Sequence, residues 1–342
     1  MSIRVFKPYI NRKDMDSVLN CLVSEKIENG VLAKQLASDI SKYLGTAEGF
    51  LLKEYRRSLE IIIKSIDSEG RKKLLISPLA PLYYKTAAED SGLEIVYIDI
   101  DPDTACISYD KLSKAAEIHK DNIHSIVVDS PLGFVPEIER IMELGFTVIE
   151  DISNSFGSEA GDKKAGCFGN FTILNMDPDK IITTGSGTYI AAGNKKERDA
   201  LKNTIHSYGY DVLLPDMNAA VAITQLANSD KLIKARQDIA DSYTQAVMKT
   251  RNKALVQKNS SKNVFYSFPV IAESGIKEIK KYAAKKDIEV SEAFNGSIIK
   301  AFNTDECPEA YKLNMRCVLF PLYPNIGKSN AEKIVKVIST LP

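Results

Sequence analysis

Phe171-Thr172-Ile173-Leu174-Asn175-Met176-Asp177-Pro178-Asp179-Lys180-Ile181-Ile182-Thr183-Thr184-Gly185-Ser186-Gly187 decides the reading of this chain. Its first four residues are an apolar run of strand length. Asp177-Pro178 and Gly185-Ser186-Gly187 are turn chemistry, so Lys180 lies in a connection between a strand and a glycine turn. Upstream, a second apolar run, Thr147-Val148-Ile149, ends in Glu150-Asp151. A lone lysine in a connection is most often a solvated surface residue. Here a lysine and an aspartate are delivered by two strand ends.

Outward from these two runs, strands and helices alternate. Leu74-Leu75-Ile76, Ile95-Val96-Tyr97-Ile98, Ser125-Ile126-Val127-Val128 and Thr188–Ala191 are further strand candidates. Helical spacing predicts helices over Asn11–Val23 with Asn11 as cap, Lys34–Leu44 stopping at Gly45, Arg56–Ile66, Tyr109–Ile118 and Pro136–Leu144. Near-continuous apolar strands separated by helices indicate an α/β fold, with a central, mostly parallel sheet covered on both faces. Asp216–Lys249 reads as one long helix leading to a smaller α+β C-terminal domain. That domain is expected to hold strand Val264–Val270, helix Ile276–Ala284, strand Cys317–Leu319 and helix Asn330–Ser339. The expected divisions are an arm over 1–30, a large domain over 31–235 and a small domain over 236–342.

Parallel sheets bind ligands at the carboxyl ends of their strands. An amine and a carboxylate placed there are the pair a pyridoxal phosphate site needs. The lysine forms a Schiff base, and the carboxylate keeps the pyridine nitrogen protonated. Asp99 and Asp129 also close strands, so position alone does not select Asp151.

Bulk properties narrow the function further. Lys+Arg and Asp+Glu are 45 each, which removes the electrostatic case for nucleic acid or an anionic membrane as partner. No apolar run approaches the ~18 residues of a membrane span. Five scattered cysteines without CxxC spacing point to reduced thiols and a cytoplasmic location. The three histidines do not stand at zinc-ligand spacing, and no metal is expected.

Taken in order along the chain, the motifs resemble those of the DegT/StrS-type sugar aminotransferases, enzymes with the fold-type-I pyridoxal phosphate transferase architecture. Lys42-Tyr43-Leu44-Gly45, Gly92 to Thr104 ending Asp99-Ile100-Asp101-Pro102-Asp103-Thr104, and Val148–Gly157 are similar to family segments. So are Lys164–Gly169, Asp177–Gly185, Asn218-Ala219-Ala220 and Pro321-Leu322-Tyr323-Pro324. The resemblance implies Lys180 as the Schiff-base lysine and Asp151 as the partner of the pyridine nitrogen. It puts Asn154 where the family has a glutamine near the ring, and Asn175 in place of a phosphate-binding serine. It also implies a homodimer, a nucleotide-linked keto sugar as substrate and an amino acid as donor.

The phosphate cup departs from the family pattern. A family Ser-Gly-Thr at a helix N-terminus, where backbone N–H groups hold an anion, falls on Glu54-Tyr55-Arg56. A tyrosine obstructs the close approach that glycine allows, and Glu54 repels phosphate. Arg56 and Arg57 are the candidate replacement contacts. A family asparagine contributed across the dimer is Asp211 here. With no Trp in the chain, the aromatic beside the ring falls to Tyr83 or Tyr84. Two function classes follow. The first is a pyridoxal-phosphate-dependent nucleotide-sugar aminotransferase of surface polysaccharide or glycosylated-metabolite biosynthesis. The second is a degenerate paralogue with weak or absent cofactor binding that acts as a binding or regulatory subunit.

Overall fold

The computed structural model describes residues 2–258, 261–301 and 306–342. The resemblance also implies that the C-terminal half is shortened around Asn295–Asn303, where specificity residues would lie, and that segment lies partly outside the described residues.

Asn11 caps α1 (Arg12–Val23) as its side chain implies. Its Oδ1 accepts the N–H groups of Lys13 and Asp14 at 2.8 and 3.3 Å, and the Asp14 carboxylate accepts the Asn11 N–H at 2.9 Å. Next, α2 (Val31–Leu44) ends at Gly45, whose φ of 75° is the left-handed cap that glycine adopts without a Cβ clash. There follow β1 (Phe50–Leu52), α3 (Tyr55–Ser65), β2 (Lys73–Ile76), α4 (Leu82–Asp90), β3 (Glu94–Tyr97) and α5 (Tyr109–His119). Then come β4 (Ile123–Asp129), α6 (Ile138–Met142), β5 (Val148–Asp151), β6 (Phe171–Asn175), β7 (Thr188–Ala192) and α7 (Lys195–Tyr208).

The seven strands form one sheet in the order β1-β7-β6-β5-β4-β2-β3. Strands β3, β2, β4, β5 and β6 run parallel, and β7 is antiparallel to both β6 and β1. Alternation along β6 and β7 builds both faces. Leu174, Tyr189 and Ala191 pack with Leu36 and Ile40 of α2 on one side. Ile173 and Ile190 pack with Leu59 and Ile62 of α3, Ala87 of α4 and Leu201 of α7 on the other. All seven residues of β4 are buried, as a strand covered on both faces requires.

The expected long helix is two, α8 (Asp216–Leu226) and α9 (Ser229–Val247). Asn228 makes the break: its Nδ2 donates to the Thr224 carbonyl at 2.8 Å, while its own carbonyl starts the new helix at Lys231 and Leu232. In the smaller sheet, β8 (Lys253–Ala254), β9 (Phe268–Ile271), β10 (Ser291–Glu292) and β11 (Cys317–Phe320) are ordered β8-β9-β11-β10, all antiparallel. Helices α10 (Ile276–Ala284), α11 (Pro308–Asn314) and α12 (Lys328–Ile338) accompany it. Ala240, Tyr243 and Val247 of α9 join its core together with Ile3. Two expected extents shrink. The strand expected from Val264 begins only at Phe268, because Phe265 takes a φ of 51° with its N–H bound to Asn263 Oδ1 at 2.6 Å. The helix expected from Pro136 begins at Ile138, whose N–H is turned back to the Pro136 carbonyl at 2.8 Å.

Candidate active site

Strands β4, β5 and β6 end side by side, so their last residues, Asp129, Asp151 and Asn175, share one edge of the sheet. In register, Asp129 is the direct neighbour of Asp151. Glu150, one residue earlier, points to the opposite face. There its carboxylate accepts the N–H groups of Gly166, Phe168 and Gly169 at 2.6, 3.0 and 3.0 Å. Glu150 therefore holds the 166–169 segment, and Asp151 points to the other face.

The loop after β6 is folded to present Lys180. The Lys180 N–H closes a turn on the Asp177 carbonyl at 3.0 Å, and Met176 and Gly187 bond across the loop base at 2.8 Å. Ile181 and Ile182 are buried in the core and anchor the following residues. Lys180 Nζ donates to Asn154 Oδ1 at 3.0 Å, pairs with Asp179 Oδ2 at 3.2 Å and lies 4.8 Å from the centre of the Tyr266 ring. Its side chain is only 14% exposed. The Tyr266 hydroxyl donates to the same Asp179 oxygen at 2.9 Å.

Asp151 is fully engaged. Its Oδ1 accepts the Ser153 N–H and hydroxyl at 2.9 and 2.5 Å. Its Oδ2 accepts the Tyr84 hydroxyl at 2.9 Å and, in a shorter bond, the Tyr55 hydroxyl. Burial, followed by the Asp151 charge, pushes both phenols well above the usual tyrosine range, so both remain donors. Asp129 is pushed up to about 8, first by burial and then by Asp151 beside it, and carries its proton at neutral pH. Asn175 donates through Nδ2 to Asp177 at 2.8 Å, and its buried Oδ1 finds no partner among the described residues.

Lys180, Asp151, Asn154 and Asn175 thus lie together at one sheet edge. Arg56 is a correction. It is exposed and pairs with Asp90 at 2.5 Å and Glu60 at 3.3 Å, away from the cleft. Adjacent residues on a helix diverge by about 100°, and Tyr55 takes the inward direction. Asp211 is exposed in the short turn Tyr210–Val212, whose Val212 carbonyl accepts the Lys53 N–H at 2.8 Å next to the start of α3. Asp129, Asp179 and Tyr266 were not legible as site residues; Tyr55 and Tyr84 were placed near the site by the resemblance, but not their hydrogen bonds to Asp151. Asp129 has the same sequence appearance as Asp99, whose carboxylate instead caps α11 at Glu309 and Ala310, with 3.1 and 2.8 Å bonds, and pairs with Lys111.

A pyridoxal phosphate site needs a reactive amine, a carboxylate free to meet the ring nitrogen, and an anion cradle. The amine is present. The ring end does not fit, because the Tyr55 and Tyr84 hydroxyls take the outer oxygen of Asp151. The phosphate end does not fit either. α3 opens on Glu54, which makes no side-chain cap, followed by Tyr55 in place of a small residue. As arranged, the Tyr55 and Tyr84 hydrogen bonds to Asp151 would have to open before a pyridine nitrogen could meet that carboxylate.

Comparison with known proteins shows the relatives of this chain. The model of the DegT/DnrJ/EryC1/StrS aminotransferase family matches residues 8–339. The UDP-4-amino-4,6-dideoxy-N-acetyl-beta-L-altrosamine transaminase of Campylobacter jejuni (strain 81-176) is 24% identical, with 77% of this chain and 74% of that protein covered. GDP-perosamine synthase of Escherichia coli O157:H7 is 21% identical, with 98% of each covered. Among solved structures, the sugar aminotransferase Spr1654 of Streptococcus pneumoniae, described as putative and solved in a PMP-form, superposes with a TM-score of 0.89 at 19% identity, covering 100% of this chain and 98% of that one. Helicobacter pylori PseC, an aminotransferase involved in the biosynthesis of pseudoaminic acid, superposes at 0.90 and 18%, covering 99% and 98%.

Proposed function

Because the chain belongs to the DegT/DnrJ/EryC1/StrS aminotransferase family, we propose that it works as a nucleotide-sugar aminotransferase. It moves an amino group from an amino-acid donor to a nucleotide-linked keto sugar, with Lys180 as the catalytic amine. The product enters a surface polysaccharide or a glycosylated metabolite. The observation that carries this reading is Lys180 itself: a mostly buried amine held in the cleft by Asn154 and Asp179, on the same sheet edge as Asp151. The described cysteines are unpaired, in keeping with work in a reducing cytoplasm. The exposed apolar stripe of Met15, Leu19, Leu22 and Val23 along α1 supports a homodimer.

A second reading has its own observation. Tyr55 and Tyr84 occupy the oxygen of Asp151 that the reaction needs free. This favours a catalytically degenerate paralogue that acts as a binding or regulatory subunit. The test is to incubate the protein with pyridoxal phosphate, glutamate and a panel of nucleotide-linked keto sugars, and to analyse the sugars by mass spectrometry. An amino sugar that disappears in Lys180→Ala supports the first reading. No amino sugar from any substrate, with the protein folded, supports the second.

A further inference from the structure

We propose that Tyr55 is an internal stand-in for the cofactor ring: its hydroxyl takes the Asp151 oxygen that a pyridine nitrogen would take, so the free protein holds its own ring site closed. The inference rests on the reading of this cleft as the family's cofactor site. It adds that one side chain, at the first position of α3, decides whether a planar nitrogen heterocycle enters.

The geometry is specific to Tyr55. It begins a helix packed on the sheet, and its ring is nearly buried, 8% exposed. Tyr84 and Tyr83 meet it edge-on, with ring centres 6.1 and 6.0 Å away and planes 85° and 81° apart. Tyr84 is itself fully buried and donates to the same Asp151 oxygen. The phenol is therefore held from two sides and anchored at its tip by a hydrogen bond to a carboxylate, stronger than one between neutral groups. An incoming ring would have to break that bond and move Tyr55 out, together with the first turn of α3. Beyond it, Glu54 repels an incoming phosphate. The two obstacles are separable, because pyridoxal carries the ring without the phosphate.

The test is equilibrium titration with pyridoxal phosphate and, separately, with pyridoxal, followed by absorbance. The proteins are wild type, Tyr55→Gly, Tyr55→Ser and Tyr55→Phe, each checked for folding by circular dichroism. Serine suits a helix N-terminus, so it keeps the test readable if glycine loosens α3. Removing one of the two hydrogen bonds on this charged oxygen, with Tyr84 still donating the other, is worth about tenfold in affinity or more. The expected result is that Tyr55→Gly and Tyr55→Ser bind both ligands at least about tenfold more tightly than wild type. Tyr55→Phe, which keeps the ring and loses the hydroxyl, should gain less. Stoichiometric wild-type binding at micromolar pyridoxal would overturn the inference. So would folded Tyr55→Gly and Tyr55→Ser proteins that bind pyridoxal no better than wild type. A thermal shift with nucleotide sugars on the same samples separates the two claims. Tighter pyridoxal binding without any nucleotide-sugar binding upholds the role of Tyr55 and rejects the substrate reading. The converse rejects the role of Tyr55 alone.

Discussion

Replacing Asp129 by Asn tests the electrostatics of the cleft without touching Lys180 or Asp151. Asp129 is buried beside Asp151, and one of its oxygens finds no partner among the described residues. Burial and the neighbouring carboxylate raise its pKa from 3.8 to about 8. The sign follows from linkage. Below about pH 4 the group is protonated in both folded and unfolded chains and adds no pH dependence. Between about pH 4 and 8 the unfolded chain ionises while the folded one holds its proton, so stability falls as pH rises. Above about pH 8 the penalty is complete. One pKa unit is worth about 1.4 kcal/mol, so the full shift sets a ceiling of about 5–6 kcal/mol. Water entering the cleft and movement of the phenols leave about 2–3 kcal/mol of this. For a chain of this length that is about 3–4 °C in Tm. Asn has nearly the same shape and never ionises. The assay is Tm from pH 4 to 8.5 for both proteins. The Tm of Asp129→Asn relative to wild type is expected to rise by about 3–4 °C across that window. A difference that stays flat with pH would refute a protonated Asp129.

Asp216 is buried, and its carboxylate accepts the N–H groups of Gly30, Leu32 and Ala33 at 2.8, 3.1 and 2.8 Å, capping α2 from 183 or more residues away in sequence. Asp216→Ala leaves these donors unsatisfied and is expected to cost about 2–4 kcal/mol in urea unfolding; a loss under about 0.5 kcal/mol would show that α2 does not depend on this cap. Leu19→Glu places a charge in the exposed stripe of α1 and is expected to turn a dimer into a monomer by light scattering with little change in Tm; an unchanged dimer would locate the interface elsewhere.

Much of the fold was legible because its strands are short apolar runs closed by turn residues. The strands of the central sheet that were anticipated, β2 to β7, lie within a few residues of their sequence signals, and α10 ends where its periodicity does. What escaped was held by tertiary contacts. β1 is three residues that pair with β7, and α4 starts after Pro81 with no side-chain cap. The break between α8 and α9 needs the side-chain bond of Asn228 back to Thr224. At the site, Lys180 and Asp151 stood out as a lysine and an aspartate near two strand ends, and the family resemblance selected them and added Asn154 and Asn175. Tyr55 could be placed at the phosphate-cup position by counting residues. Its bond to Asp151, 96 positions away, could not, because it depends on how α3 lies on the sheet. The same packing turns Arg56 outward to Asp90.

The most direct test of Lys180 as the amine of this cleft is chemical. Wild-type and Tyr55→Gly proteins are treated with pyridoxal phosphate, reduced with borohydride, and mapped by peptide mass spectrometry. In Tyr55→Gly, Lys180 is expected to be labelled ahead of every other lysine, and in wild type more slowly than in the variant. Labelling spread over surface lysines while Lys180 stays unmodified in a folded Tyr55→Gly protein would contradict the assignment.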